Sequence, residues 1–177
     1  GQFAFVTFNR DEGPHPFTIS SAWRGDGKMF FLIKGLGDYT DTLPTALKVG
    51  DMAVVEGPYG RFSFGGDAKR QIWVAGGIGI TPFVARMQAL TKAPDGKDID
   101  LFYSTSAPDA EFIGKLRRRA NEAAVRLHVL VADVDGRLTV ERICAVVPEW
   151  KSADLWFCGP AGFGQALREG FVKRGMS

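Results

Sequence analysis

From Ile72 to Lys173 short apolar runs alternate with segments of helical apolar spacing, and this alternation constrains the fold more than any other feature. Ile72 to Ala75, Ile99 to Tyr103, Leu127 to Val131 and Leu155 to Cys158 read as strands. Pro82 to Leu90, Asp109 to Ala124, Val140 to Val147 and Gly162 to Lys173 read as helices, with Pro82 in a first turn where its missing N–H costs nothing. Strands that return through helices in this rhythm must lie parallel, in one sheet covered on both faces.

The rhythm before Gly65-Gly66-Asp67 is different. Residues 1–66 hold 11 Gly and 8 Phe. Their short apolar stretches, Phe3 to Phe8, Phe17 to Ser20, Met29 to Ile33 and Met52 to Glu56, are separated by turn chemistry at Asn9 to Pro14, Arg24 to Gly27 and Val49 to Asp51. Thr42 to Leu47 has room for one short helix. The expectation is therefore two domains, a partial antiparallel β-barrel over residues 1–66 and an α/β parallel-sheet domain over residues 67–177.

Composition removes several classes. With 45% hydrophobic residues and 21 aromatics among 177, the chain is not a disordered one. Two cysteines make neither a disulfide scaffold nor a four-ligand iron–sulfur centre, and no metal site is expected. No apolar run approaches the roughly 18 residues of a membrane span, so the chain reads as soluble. The net charge is −1 over residues 1–66 and +3 over residues 67–177, too little to argue for nucleic acid. The start at Gly1-Gln2-Phe3, without Met or leader, reads as a cut within a longer protein.

The strongest local signal is Val74-Ala75-Gly76-Gly77-Ile78-Gly79-Ile80-Thr81-Pro82, a Gly-rich turn from strand to helix. Glycines admit a ligand close to the backbone, and a helix start offers unpaired N–H groups to a pyrophosphate. The spacing departs from G-x-G-x-x-G, and such a turn alone also serves as a tight connection with no ligand. Other strand ends add context, because ligands of open parallel sheets bind where strands finish. Ser104-Thr105-Ser106 and Cys158-Gly159-Pro160 stand at two such ends. Their plain readings are a helix cap before Asp109 and a small buried thiol. In the first half, His15-Pro16-Phe17-Thr18-Ile19-Ser20-Ser21, Lys34 to Thr40 and Gly57-Pro58-Tyr59-Gly60 each pass alone as strand or turn.

In this order, however, the segments resemble the ferredoxin-NADP reductase superfamily, and within it the flavin dehydrogenase region of ferric reductases and NADPH oxidases. The resemblance implies an FAD-binding barrel and an NAD(P)H-binding domain. By it, His15 and Pro16 stand on the flavin's phosphate side, Phe17 lies against the isoalloxazine ring, and the Thr18 hydroxyl reaches flavin N5. Lys34, Tyr39 and Thr40 fall near the FAD pyrophosphate. Gly76, Gly77, Gly79, Thr81 and Pro82 fall to the nucleotide's pyrophosphate, with Ser104 and Ser106 near its ribose end. Cys158, followed by Gly159 and Pro160, approaches the nicotinamide carbon that gives up hydride. Thr18 and Cys158 are thus the implied catalytic pair.

The implied activity is flavin-dependent hydride transfer from NADPH, with NADH as the other possibility, and then release of single electrons to haem, iron or another acceptor. The partner is a haem-bearing membrane domain of the same parent chain, which would place this part on the cytoplasmic side of a membrane, or a separate acceptor protein. A soluble reductase feeding an iron–sulfur protein or flavodoxin is the alternative enzyme, and a non-catalytic nucleotide sensor the alternative of another class. The superfamily's Arg for the 2′-phosphate is replaced by Ser104-Thr105-Ser106, with Arg117 to Arg119 as an exposed helix face that could substitute. Family strands before Gly1 and after the last helix are missing from the pattern, so the expectation is an incomplete barrel with an exposed edge and weak FAD retention.

Overall fold

The computed structural model describes residues 1–176. Alternation within Phe3–Thr7 (β1) turns Ala4 and Val6 onto a buried face. This strand is central in a three-stranded antiparallel sheet, between His15–Thr18 (β2) and Val54–Tyr59 (β3). The β1–β2 register sets Val6 opposite His15 and Phe3 opposite Thr18, which brings the His-Pro-Phe-Thr segment onto the sheet's flank. Asp38–Ala46 (α1) forms the one helix of this half.

The expected strand from Met29 to Ile33 shrinks to a single bridge between Ile19 and Phe31. Two hydroxyls are the cause. Ser21 Oγ accepts from the Phe30 N–H at 3.1 Å and Ser20 Oγ from the Leu32 N–H at 2.9 Å, so side chains take donors that a ladder would use.

The second half runs Arg70–Gly76 (β4), a 3₁₀ turn at Gly77–Ile80, Thr81–Lys92 (α2), Asp98–Thr105 (β5), Ala110–Glu122 (α3), Val125–Val131 (β6), Ala132–Asp135 (α4), Val140–Val146 (α5), Asp154–Cys158 (β7) and Ala161–Lys173 (α6). All four strands are parallel, in the order β6-β5-β4-β7. The chain therefore builds outward from β4 to β6 and then crosses back to β7, leaving a topological switch between β4 and β7.

Both faces of this sheet are covered, as the apolar runs predict. Trp73, Phe83, Met87 and Leu101 form one core beneath α2 and α3, while Ile72, Val74, Phe102, Ile143 and Phe171 form the other with α5 and α6. Each such fully buried side chain contributes roughly 1.5–3 kcal/mol relative to exposure. The helix cap before α3 is Asp109, which accepts from the Phe112 N–H at 2.9 Å, so Ser104 to Ser106 are not the cap.

The two sheets are held together by the connection between β3 and β4. Phe62 and Phe64 leave that segment to pack on Phe83 and Trp156 of the α/β half, and Phe64 also meets Trp73. Among the described residues no helix is long and apolar enough to cross a membrane, and no cluster of His, Cys, Asp and Glu could hold a metal.

Candidate functional site

The switch between β4 and β7 opens into a cleft of about 770 Å³, bounded on its far side by the antiparallel half. That volume falls in the range of roughly 300–1,000 Å³ usual for small-molecule and cofactor sites. In-register pairing of the parallel strands aligns their carboxyl ends: Gly76 stands beside Ser104, Ser104 beside Leu130, and Ala75 beside Cys158.

Close backbone approach explains the glycines of the turn. A Cβ on Gly79 would fall on the Cys158 carbonyl, and one on Gly76 would come within 2.8 Å of Pro160 Cδ. Gly159 is confined in the same way, its Cβ position lying 3.0 Å from Gly76 Cα. Gly77 differs, because open space surrounds it but its φ of +54° belongs to the left-handed region. The turn thus presses β4 and β7 together on one side and leaves backbone exposed to the cleft at Gly77. Behind it α2 begins at once: the Thr81 N–H bonds the Ile78 carbonyl, Pro82 has no N–H to satisfy, and Thr81 lines the same space.

His15, Pro16, Phe17, Thr18, Lys34 and Thr40 line the opposite wall. Gly76, Gly77, Gly79, Thr81, Ser104, Ser106, Cys158, Gly159 and Pro160 line the near wall. Two of the sequence candidates stand off it. Pro82 is buried in the first turn of α2, and Tyr39 lies behind His15, its ring stacked on the imidazole at 3.9 Å between centroids and 15° between planes. Arg117 to Arg119 do not reach the cleft.

The polar groups are poised rather than satisfied. His15 Nε2 is buried and has no hydrogen-bond partner among the described residues. Burial pushes the Cys158 thiol above its ordinary pKa, so it stays protonated at neutral pH. A neutral thiol places no negative charge beside the Gly-rich turn.

Sequence reading missed the apolar parts of the walls. Leu32, Ile33 and Leu36 come from the irregular chain before α1, and Ile78 and Phe163 flank the Gly-rich turn and the start of α6. Generic apolar residues carry no local mark of such a role. A second cavity of about 660 Å³ adjoins the first through Ser104, Pro160 and Phe163 and contains Arg137 and Arg174. Arg174 is engaged with Glu141 and the Gly170 carbonyl, whereas the Arg137 guanidinium enters no ion pair among the described residues.

No family model matches the chain. It is 27% identical over 173 residues to a flavohemoprotein of Candida norvegensis, covering 94% of this chain and 43% of that one. It is also 27% identical over 173 residues to the ferredoxin–NAD(+) reductase component of an alkene monooxygenase system from Xanthobacter autotrophicus, covering 91% and 53%. The chain thus spans about half the length of these relatives. In fold it is similar to a ferredoxin NADP+ reductase from Neisseria gonorrhoeae solved with bound FAD and NADP, with a TM-score of 0.75, 17% identity, and coverage of 98% of this chain and 78% of that one. The antiparallel sheet joined to a parallel sheet, with its cleft at the strand switch, thus gives the chain a ferredoxin-NADP reductase-like fold, and its similarity in sequence to these relatives agrees with that fold.

Proposed function

We propose that the chain is the FAD- and NAD(P)H-binding dehydrogenase part of an electron-transferring oxidoreductase, with residues 1–66 serving FAD and residues 67–177 the nicotinamide nucleotide. One observation carries this reading: segments from both halves, distant in sequence, line a single cleft. FAD when bound would take a hydride from NAD(P)H and release electrons singly. The residues fit it, because a flat apolar wall at Phe17, a cation at Lys34 and the imidazole of His15, whose Nε2 is buried without a protein partner, belong to the lining of the same space.

His15, Pro16, Phe17, Thr18, Lys34 and Thr40 would hold FAD, with the Thr18 hydroxyl directed to the ring edge. Gly76, Gly77, Gly79 and Thr81 would hold the nucleotide's pyrophosphate by backbone N–H groups and one hydroxyl. Pro82 supports that turn from beneath by fixing the start of α2. Cys158, kept as a thiol, and Gly159-Pro160 would border the nicotinamide. Hydride transfer needs two rings in near contact and little acid–base chemistry, so positioning is the main work of these residues. Ser104, Ser106 and the free Arg137 would meet the 2′-phosphate, which favours NADPH over NADH.

The acceptor is a haem or iron centre, either in a membrane domain of the same parent protein, as the His15-Pro16-Phe17-Thr18 segment of the ferric reductase and NADPH oxidase type suggests, or in a separate protein. The second form is favoured by the relative that is a reductase component of a monooxygenase system.

The test is anaerobic stopped-flow mixing of FAD-reconstituted protein with NADPH or NADH, following flavin bleaching near 450 nm. Rapid bleaching by NADPH, faster than by NADH, is the expected result. Failure to take up FAD, or uptake with no bleaching by either nucleotide, overturns the enzyme reading; equal rates remove the NADPH preference.

A further inference from the structure

We infer that Tyr39 is a positioning residue for FAD binding, acting through His15 and not by touching the cofactor. The inference rests on the proposed function and gives Tyr39 a different task from the pyrophosphate contact that its neighbour Thr40 suggests. Thr40 lines the cleft, whereas Tyr39, one residue earlier in α1, does not. Tyr39 instead borders a separate cavity of about 430 Å³ on the other side, with Phe8, Glu12, Leu43 and Met52. Its ring is therefore the partition between the two spaces, and His15 is laid flat against its cleft side.

The stack is part of a longer file. Phe17, two residues on in β2, lies 6.5 Å from His15 at 27°, and Phe8 lies 6.2 Å from Phe17. Phe17 holds His15 along the strand face at 6.5 Å, whereas Tyr39, at 3.9 Å and 15°, lies in face contact with the imidazole. Without that cover the ring would turn about its side-chain bonds and change what His15 presents to the cleft it lines. Burial, and the nearby Glu12, push the Tyr39 phenol up, so the ring stays neutral over the working range of pH.

The experiment is FAD titration by flavin fluorescence with wild type, Tyr39→Phe, Tyr39→Leu, His15→Ala and the Tyr39→Leu/His15→Ala double variant, together with NMR of the His15 ring protons in the flavin-free protein. Tyr39→Leu should weaken FAD binding about tenfold and Tyr39→Phe less than about twofold, since the phenyl ring preserves the stack. In the His15→Ala background Tyr39→Leu should add less than about twofold, the mark of an effect transmitted through His15. The His15 ring protons should be shifted upfield in wild type and Tyr39→Phe and return toward ordinary positions in Tyr39→Leu.

A Tyr39→Leu loss of equal size with and without His15 makes the role merely structural and overturns the inference. So does unchanged affinity in Tyr39→Leu when His15→Ala binds weakly. Unchanged affinity in His15→Ala itself refutes instead the functional reading of His15, which separates the two failures.

Discussion

Gly77 and Gly79 stand two residues apart in one turn and answer to different constraints. Gly77 is required by its φ of +54°, with open space around it, and Gly79 by the Cys158 carbonyl that a Cβ would strike. Gly77→Ala should therefore cost about 1 kcal/mol of stability and leave nucleotide binding largely intact. Gly79→Ala must push β4 and β7 apart, and should cost at least about 2 kcal/mol and weaken NADP(H) binding more than tenfold. Thermal unfolding and isothermal titration on the pair distinguish the two; equal effects would mean that the turn is not pressed against β7. Cys158 gives a pH prediction at the same scale. Burial raises its pKa, so the reactive thiolate is scarce at neutral pH, and alkylation by iodoacetamide should be slower than for a free cysteine at pH 7 and rise only at alkaline pH. Cys158→Ala should slow hydride transfer from NADPH while FAD stays bound. The Gly-rich turn is marked in the sequence by a few consecutive residues, whereas Cys158 alone reads as a small buried thiol and stands out only through the resemblance. The Tyr39–His15 stack has no such mark, since 24 positions separate the two rings and only the packing of α1 against β2 brings them together.

At the scale of elements, β4, β5 and β6 are clasped at the ends remote from the cleft. Asp100 on β5 accepts from Arg70 of β4 at 2.7 Å, from Arg126 of β6 at 3.0 and 3.1 Å, and meets His128 Nε2 at 2.7 Å. Its side chain is 2% exposed, so the four contacts satisfy a buried carboxylate in full. Burial pushes the carboxyl up, but the hydrogen bonds from His128 and Arg126 and the Arg126 and Arg70 charges outweigh it and hold it below the ordinary value. A depressed carboxylate contributes stability that is complete above its unfolded pKa of about 3.9 and is lost as pH falls through the lower folded value. The clasp should accordingly hold at neutral pH and fail only in acid below about pH 4. Asp100→Asn leaves the Arg70, Arg126 and His128 side chains short of their acceptor and should destabilise by about 3 kcal/mol at pH 7, with the difference from wild type shrinking in acid. Four residues of strand, about 13 Å, separate Asp100 from the cleft at Ser104, so nucleotide affinity should change little. Urea unfolding at pH 7 and pH 3.5 measures the first effect and titration calorimetry the second. The strand Ile99 to Tyr103 was legible as a strand from its apolar run, but the role of Asp100 within it was not, because its partners sit on two other strands. Met29 to Ile33 shows the opposite case. Its apolar pattern is that of a strand, yet Ser20 and Ser21, on a different segment, claim its backbone donors.

At the scale of the whole molecule the cleft needs the two sheets to face each other at a fixed distance, since one wall comes from each. Phe64 is the strongest candidate for what sets that distance. It is 5% exposed and packs on Trp73 at 4.9 Å, Trp156 at 5.5 Å and Phe83 at 5.7 Å, with the Arg86 guanidinium over its ring at 5.8 Å. The residue belongs to the connection after β3 and, apart from its neighbour Phe62, its aromatic contacts are in the α/β half, so it anchors the end of one unit inside the core of the other. Phe64→Ala should cost about 3–5 kcal/mol, which for a chain of this size lowers Tm by about 10 °C. Stability alone would not separate an anchor from an ordinary core residue. Phe171, 2% exposed in the other core and remote from the connection, provides the comparison, because Phe171→Ala should destabilise by a similar amount. Below the unfolding transition of both variants, each should bind NADP(H) within about threefold of wild type, the near wall being intact. Only Phe64→Ala should slow flavin reduction, by about tenfold or more, because loss of the anchor lets the His15 to Thr18 wall drift from the Gly76 and Cys158 wall and near contact of the two rings is what the rate depends on. Equal slowing in both variants would assign the loss to general softening, and no slowing in either would show that the sheets are aligned by contacts other than this aromatic joint.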